Sequence, residues 1–213
     1  MRVRTRIGGQ KMGDQIVVTN RNVSSSRTTD ASGNNDSAFY ISPAFSGQGP
    51  LTNISACYEL FRVNQYRVRW QPSVGTLTTG TLYMGLIDNC DMIAKWNTYG
   101  TDKYTIIKSL PNMVSTKLYE QKEISWTKPW RRVRFNCDGT ITATVAEQID
   151  RTVAGLFVYL IEGAPASTTA GSFVFEQSIA LSGLINPLAI TTFNLTGEQN
   201  LTGQEMEPLP AAN

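Results

Sequence analysis

Residues Gln65-Tyr66-Arg67-Val68-Arg69-Trp70 alternate with a strict period of two. In an extended chain this puts Tyr66, Val68 and Trp70 on one face and Arg67 and Arg69 on the other, which is the pattern of a strand with one buried and one wet side. Other stretches carry the same signal. Gln15–Val18, Ala38–Ile41, Thr81–Ile87, Lys117–Trp126, Trp130–Phe135, Ala154–Ile161 and Gly171–Leu181 read as strands, and Thr81–Ile87 and Ala154–Ile161 are nearly continuous apolar runs. The 24 threonines agree, since β-branched side chains suit a pleated surface. Helical signals are few. Thr52–Phe61 fits one short helix on the spacing of Ile54, Tyr58 and Phe61, and Asn89–Trp96 fits a further turn. About eight strands joined by Gly/Ser/Thr/Pro-rich connections, with no regular alternation of strand and helix, predict an all-β protein. The expected architecture is an eight-stranded jelly-roll β-sandwich with one or two short helices.

The chain of 213 residues is long enough for one such domain with a self-sufficient core. It holds no histidine, which removes Ser–His–Asp triads and His-ligated metals. Cys57, Cys90 and Cys137 are widely separated and form no CxxC pair, so neither a zinc cluster nor a disulfide framework is expected. No apolar run approaches the ~20 residues of a membrane span, and no secretory h-region follows the first arginines. The gly-rich pieces lack the GK[ST] of a phosphate-binding loop. An enzyme is the least supported class.

The net charge of +2 conceals an asymmetry. Residues 1–41 hold six cations and three anions, and the first eleven hold Arg2, Arg4, Arg6 and Lys11 with no acid. That composition suits a basic arm that meets phosphates, and equally a frayed terminus. Arg131, Arg132 and Arg134 form a second basic run, with Arg67 and Arg69 as candidate neighbours; the alternative is a solvated sheet face. The expected organisation is a basic arm over 1–13, a jelly-roll domain over 14–190 and an extension over 191–213.

Asp88 and Asp91 follow the apolar strand Thr81–Ile87. Two carboxylates three residues apart, with Asn89 between them, offer hard oxygen ligands to Ca²⁺; the competing reading is two solvated loop acids, one of them capping the Asn89–Trp96 turn.

The order of motifs from Ser55 to Asp91 resembles the shell domain of coat proteins from small icosahedral viruses of the tombusvirus and sobemovirus type. The motifs are Tyr58, then Tyr66-Arg67-Val68-Arg69-Trp70-Gln71-Pro72, then Thr78-Thr79-Gly80, an apolar strand from Leu82 to Ile87, and Asp88-Asn89-Cys90-Asp91. Gly155–Glu162 is similar to the penultimate strand of that family. The family usually carries a longer basic arm, and some members add a protruding domain, so the likeness is to shell-only capsids. The resemblance implies a capsid subunit that self-assembles with identical copies into an icosahedral shell around a nucleic-acid genome, expected to be RNA. It implies Ca²⁺ at contacts between subunits, a place in the virion, and assembly in the host cytoplasm. The alternative is a lectin-like jelly roll that holds a glycan through Ca²⁺ at Asp88, Asn89 and Asp91. The connections Ser24–Asp36 and Ile93–Asp102 are candidates for host contact.

Overall fold

The computed structural model describes residues 6–8, 15–43, 51, 54–55, 57–126, 133–134 and 153–184. In chain order the elements are β1 (Arg6–Gly8), β2 (Ile16–Val23), β3 (Arg27–Thr28), β4 (Asn35–Ile41), β5 (Tyr58–Pro72) and β6 (Thr81–Ile87). Helices α1 (Cys90–Lys95) and α2 (Asp102–Ser109) follow, separated by a 3-10 turn over Trp96–Thr98. The chain continues with β7 (Val114–Lys117), β8 (Lys122–Trp126), β9 (Val133–Arg134), β10 (Gly155–Glu162) and β11 (Thr169–Leu184).

Eight of these strands pair in a nested order. The outermost in sequence, β2 and β11, pair antiparallel; inside them β4 pairs β10, then β5 pairs β8, and β6 pairs β7. Successive nested pairs alternate between two sheets, so one long antiparallel ribbon rolls up on itself. The larger sheet runs β1-β2-β11-β5-β8, with β3 on β11 and β9 on β5; the smaller runs β4-β10-β6-β7. The eight-stranded jelly roll is therefore as expected. Arg6–Gly8, inside the segment read as an arm, adds a backbone strand to the larger sheet opposite Val17–Thr19.

The alternation at Gln65–Trp70 belongs to a strand of 15 residues. Tyr66, Val68 and Trp70 fill the space between the sheets with Phe157, Tyr159, Phe173 and Phe175. The indole N–H of Trp70 donates to the Leu118 carbonyl at 2.9 Å, so its one polar group is satisfied. Gln65 pairs with Ser178 and Val63 with Ile179, which leaves Asn64 as an extra residue in β5. This bulge exchanges the inward parity. Even positions point inward beyond it, and Phe61 and Val63 point inward before it, onto Val18, Ile179 and Leu181.

The bulge lies close to the one sequence expectation for a helix that fails. Leu51, Ile54 and Ser55 are helical, but Cys57 is in a turn and the strand begins at Tyr58. The spacing of Ile54, Tyr58 and Phe61 fits a helix; pairing of Tyr58–Phe61 with Leu181–Leu184 overrides it. The helical turn expected at Asn89–Trp96 is present as α1 and the start of the 3-10 turn. Helix α2 was not expected; Thr105, Ile106 and Ile107 are β-branched residues of lowered helix propensity. The two connections proposed for host contact are also partly ordered elements. Ser24–Asp36 contains β3, and Ile93–Asp102 contains the second half of α1 and the 3-10 turn.

Strand β10 explains its own continuous apolar sequence. Phe157, Tyr159 and Ile161 face the space between the sheets, while Leu156, Val158 and Leu160 face a second cluster with Ile93, Trp96 and Ile107. A strand covered on both sides needs no polar positions. The helical layer is tied down at its rim. Lys108 bonds Glu162 at 2.6 Å, and the Asn112 side chain donates to the Leu86 carbonyl (2.8 Å) and accepts from the Leu86 N–H (3.1 Å). Asn112 thus serves β6 where its pairing with β7 has ended. Gly155, at the start of β10, admits the Trp126 ring; a Cβ there would lie 2.6 Å from it.

Candidate functional site

Asp88 and Asn89 leave β6, and Asp91 stands in the first turn of α1. Asn89 has an extended backbone (φ −78°, ψ 117°), and its side-chain oxygen accepts from the N–H groups of Asp91 at 2.9 Å and Met92 at 3.1 Å. It is an N-cap, with its own carbonyl taking the Ile93 N–H at 3.0 Å. Asp91 supports the same helix end through the dipole. A cation ligated by the Asn89 oxygen would have to break the cap. Asp88 and Asp91 are both exposed. Among the described residues no three acidic or cysteine groups come together as a metal cage. The donor set of one chain, two carboxylates, therefore does not fit a closed Ca²⁺ site, which takes 6–8 oxygens.

The basic residues are distributed differently from their order in sequence. Arg2, Arg4, Lys11, Arg131 and Arg132 lie outside the described residues. Arg6 occupies a register position opposite Thr19 on β2, and Arg134 one opposite Leu60 on β5. Strands β1 and β9 stand at opposite edges of the larger sheet. Four strand spacings of ~4.8 Å separate the two strands by about 19 Å.

Arg67 and Arg69 do share a face, but not as a basic patch. On the outer side of the larger sheet Arg21, Glu176 and Arg67 lie in one row across β2, β11 and β5, and Arg69 and Glu123 lie in the next across β5 and β8. Glu176 bridges Arg21 (3.3 Å) and Arg67 (3.8 Å), and Glu123 bridges Arg67 (3.1 Å) and Arg69 (3.2 Å). The two carboxylates offset much of the positive field that the alternation suggested. This ladder depends on strands distant in sequence, and cross-strand pairs of this kind leave no local signal.

The end of the sandwich formed by the β3–β4, β5–β6 and β10–β11 loops is knitted by hydrogen bonds. Thr29 N–H donates to the Thr168 carbonyl (3.0 Å), Ser167 N–H to Asp30 (3.2 Å), Ala164 N–H to Gly33 (3.1 Å), and the Thr79 hydroxyl to Gly163 (3.2 Å). The Thr29 hydroxyl donates to the Pro165 carbonyl at 2.8 Å. Gly33 has φ +76°, and a Cβ on it would overlap the Ala164 carbonyl, so only glycine fits this crossing.

No known family model and no curated protein sequence matches the chain. Solved structures do match in fold. A chain of tobacco necrosis virus aligns over 86% of this chain and 89% of its own length at 17% identity, with a TM-score of 0.68. Cocksfoot mottle virus aligns over 81% of this chain and 97% of its own, at 15% identity and TM-score 0.63. Cucumber necrosis virus aligns over 87% of this chain at 13% identity and TM-score 0.67, and there this chain spans only 55% of the longer protein. The fold is the jelly roll of virus capsid shell domains. The resemblance carried by Ser55–Asp91 is borne out at that level.

Proposed function

We propose that this chain is the coat subunit of a small icosahedral virus, built to assemble with identical copies into a closed shell around a nucleic-acid genome. The observation that carries this reading is the nested eight-strand pairing, which superposes over 86% of the chain on a virus structure. The chain's lack of histidine, nucleophile motif and cofactor fingerprint agrees with a structural role. Shell closure multiplies modest contacts between copies, so no single interface has to be strong. The lectin-like alternative draws no support from the fold comparisons.

In this reading the genome is held mainly by charge. Arg2, Arg4, Arg6, Lys11, Arg131, Arg132 and Arg134 supply cations for salt-dependent, sequence-independent phosphate contacts, with RNA as the expected polymer. Arg67 and Arg69 contribute less, because Glu123 and Glu176 already partner them. Ca²⁺ at Asp88 and Asp91 would take its remaining oxygens from a second copy, since one subunit supplies too few.

The test is expression of the whole chain followed by negative-stain microscopy and light scattering. Closed particles of megadalton mass that carry ultraviolet-absorbing nucleic acid are expected. A stable monomer across salt and Ca²⁺ conditions would overturn the reading. Particles unchanged in thermal stability by a chelator would remove the cation alone.

A further inference from the structure

The connections Ser24–Asp36 and Ile93–Asp102, read from the sequence as candidates for host contact, are distant in the chain and meet in the fold. A cavity of about 260 Å³ lies between them. Asp36 and Tyr40 line it from β4, the outer strand of the smaller sheet, and Leu156 lines it from the neighbouring β10. The 3-10 turn supplies Trp96 and Asn97, and the first turn of α2 supplies Lys103. Strand parity puts these groups together. Asp36 and Tyr40 stand opposite Leu160 and Leu156, so they share the face that the helical layer covers.

Contacts within the chain already hold these walls in place. Trp96 is buried and meets Tyr99 edge-on, with ring centroids 6.3 Å apart. The Lys103 ammonium lies 5.6 Å from the Trp96 ring centroid, which holds a long, rotamer-rich side chain against the ring. Asp36 Oδ1 accepts from the Tyr104 hydroxyl at 3.4 Å. A carboxylate offers about four acceptor sites, so this bond leaves it capacity for a ligand. Burial raises the Tyr40 hydroxyl above its ordinary 10.0, and at neutral pH it is an uncharged donor.

The lining selects the chemistry of its ligand. Asp36 and Lys103 bring one charge of each sign, so an anion or a cation would meet one partner and one repelling group. A hydroxyl suits both, because it donates to the carboxylate and accepts from the ammonium or from the Asn97 amide. Tyr40, Trp96 and Leu156 add apolar surface for C–H groups. The volume falls below the ~300–1,000 Å³ of sites for drug-sized molecules, which leaves room for one six-membered ring. We propose that this cavity binds a single neutral pyranose, as the terminal residue of a glycan. The proposal goes beyond the coat-subunit reading and does not require it, since one chain supplies every group.

The experiment is saturation-transfer NMR on the whole chain with the methyl glycosides of glucose, galactose and mannose. N-acetylneuraminic acid and spermidine serve as charged controls. At least one neutral glycoside should bind saturably, with a dissociation constant on the order of a millimolar, the range open to so small a ligand. Asn97 is exposed, so Asn97→Ala should keep the wild-type circular dichroism and melting temperature. It should weaken binding about fivefold, and Asp36→Asn, which keeps the shape and removes the charge, about tenfold. The same sugar at the end of an oligosaccharide should bind at least as well as its methyl glycoside; loss of binding there would overturn the glycan assignment. No saturable binding of any neutral glycoside, tighter binding of either charged control, or unchanged affinity in both variants would overturn the proposal as a whole. Each of these outcomes leaves the coat-subunit reading to the particle assay.

Discussion

The two sheets treat their outer faces in opposite ways. On the smaller sheet Leu156, Val158 and Leu160 lie beneath Ile93, Trp96 and Ile107, closed off by two short helices. On the larger sheet Arg21, Arg67, Arg69, Glu123 and Glu176 stand in water, each with roughly a third to a half of its side chain exposed. Both faces are orderly, but different forces hold them. Fully burying a Val, Leu or Ile side chain contributes about 1.5–3 kcal/mol. An exposed ion pair contributes about 0–1 kcal/mol, because the charges give up little hydration and are screened. The helical cover is therefore part of the core, whereas the ladder mainly shapes the field of the surface.

Substitutions should separate the two faces. Val158→Asp would bury a carboxylate with no partner beneath the helices, and a loss of at least about 4 kcal/mol in urea unfolding is expected. A loss below 1 kcal/mol would mean that α1 and α2 do not seal the sheet. From the helical side, Ile107→Ala should cost about 2–4 kcal/mol, by lost burial and the cavity left behind.

The space between the sheets offers a comparison by pH. Burial pushes the Tyr159 hydroxyl up to about 12 from the ordinary 10.0, with Arg27 opposing and Asp36 assisting. Burial also drives Tyr66 strongly upward. An acid whose pKa is raised by folding costs the folded state stability where it stays neutral there but ionises on unfolding, because the unfolded chain alone gains the ionisation. The stability associated with Tyr159 is thus intact below pH 10 and falls by about 2–3 kcal/mol as pH rises to about 12. A Tyr159→Phe variant that loses tyrosinate absorbance near pH 10 relative to the folded wild type would contradict this.

The smallest effect belongs to the ladder. Arg67→Ala should change stability by no more than about 1 kcal/mol, and 0.5 M NaCl should shrink even that. A loss as large as that of Ile107→Ala would mean that the ladder is as structural as the helical cover.

Much of the strand content was legible because its cause is local. One-sided burial writes Tyr66-Arg67-Val68-Arg69-Trp70, and two-sided burial writes Leu156-Phe157-Val158-Tyr159-Leu160-Ile161. The cap at Asn89 was only partly legible. The turn after β6 was expected, but one of the carboxylates was weighed as the capping group, and it is the amide between them that bonds the helix. Helix α2 was illegible. Its residues favour a strand, and it persists because Ile107 is buried completely against the smaller sheet. The knitted loop end was not legible as one surface, because its three loops come together only in the roll.

From its sequence alone this protein was committed to strands, to a histidine-free chemistry and to the face that Gln65–Trp70 would bury, since alternation and composition act within a few residues of one another. Which strands became neighbours, the bulge at Asn64 that exchanges the inward side of β5, and the pairing of Arg67 with Glu123 and Glu176 were settled only in the folded chain. Those contacts join segments fifty to more than a hundred residues apart. Their free energy is gained when the whole ribbon has closed, so no short window of residues records it.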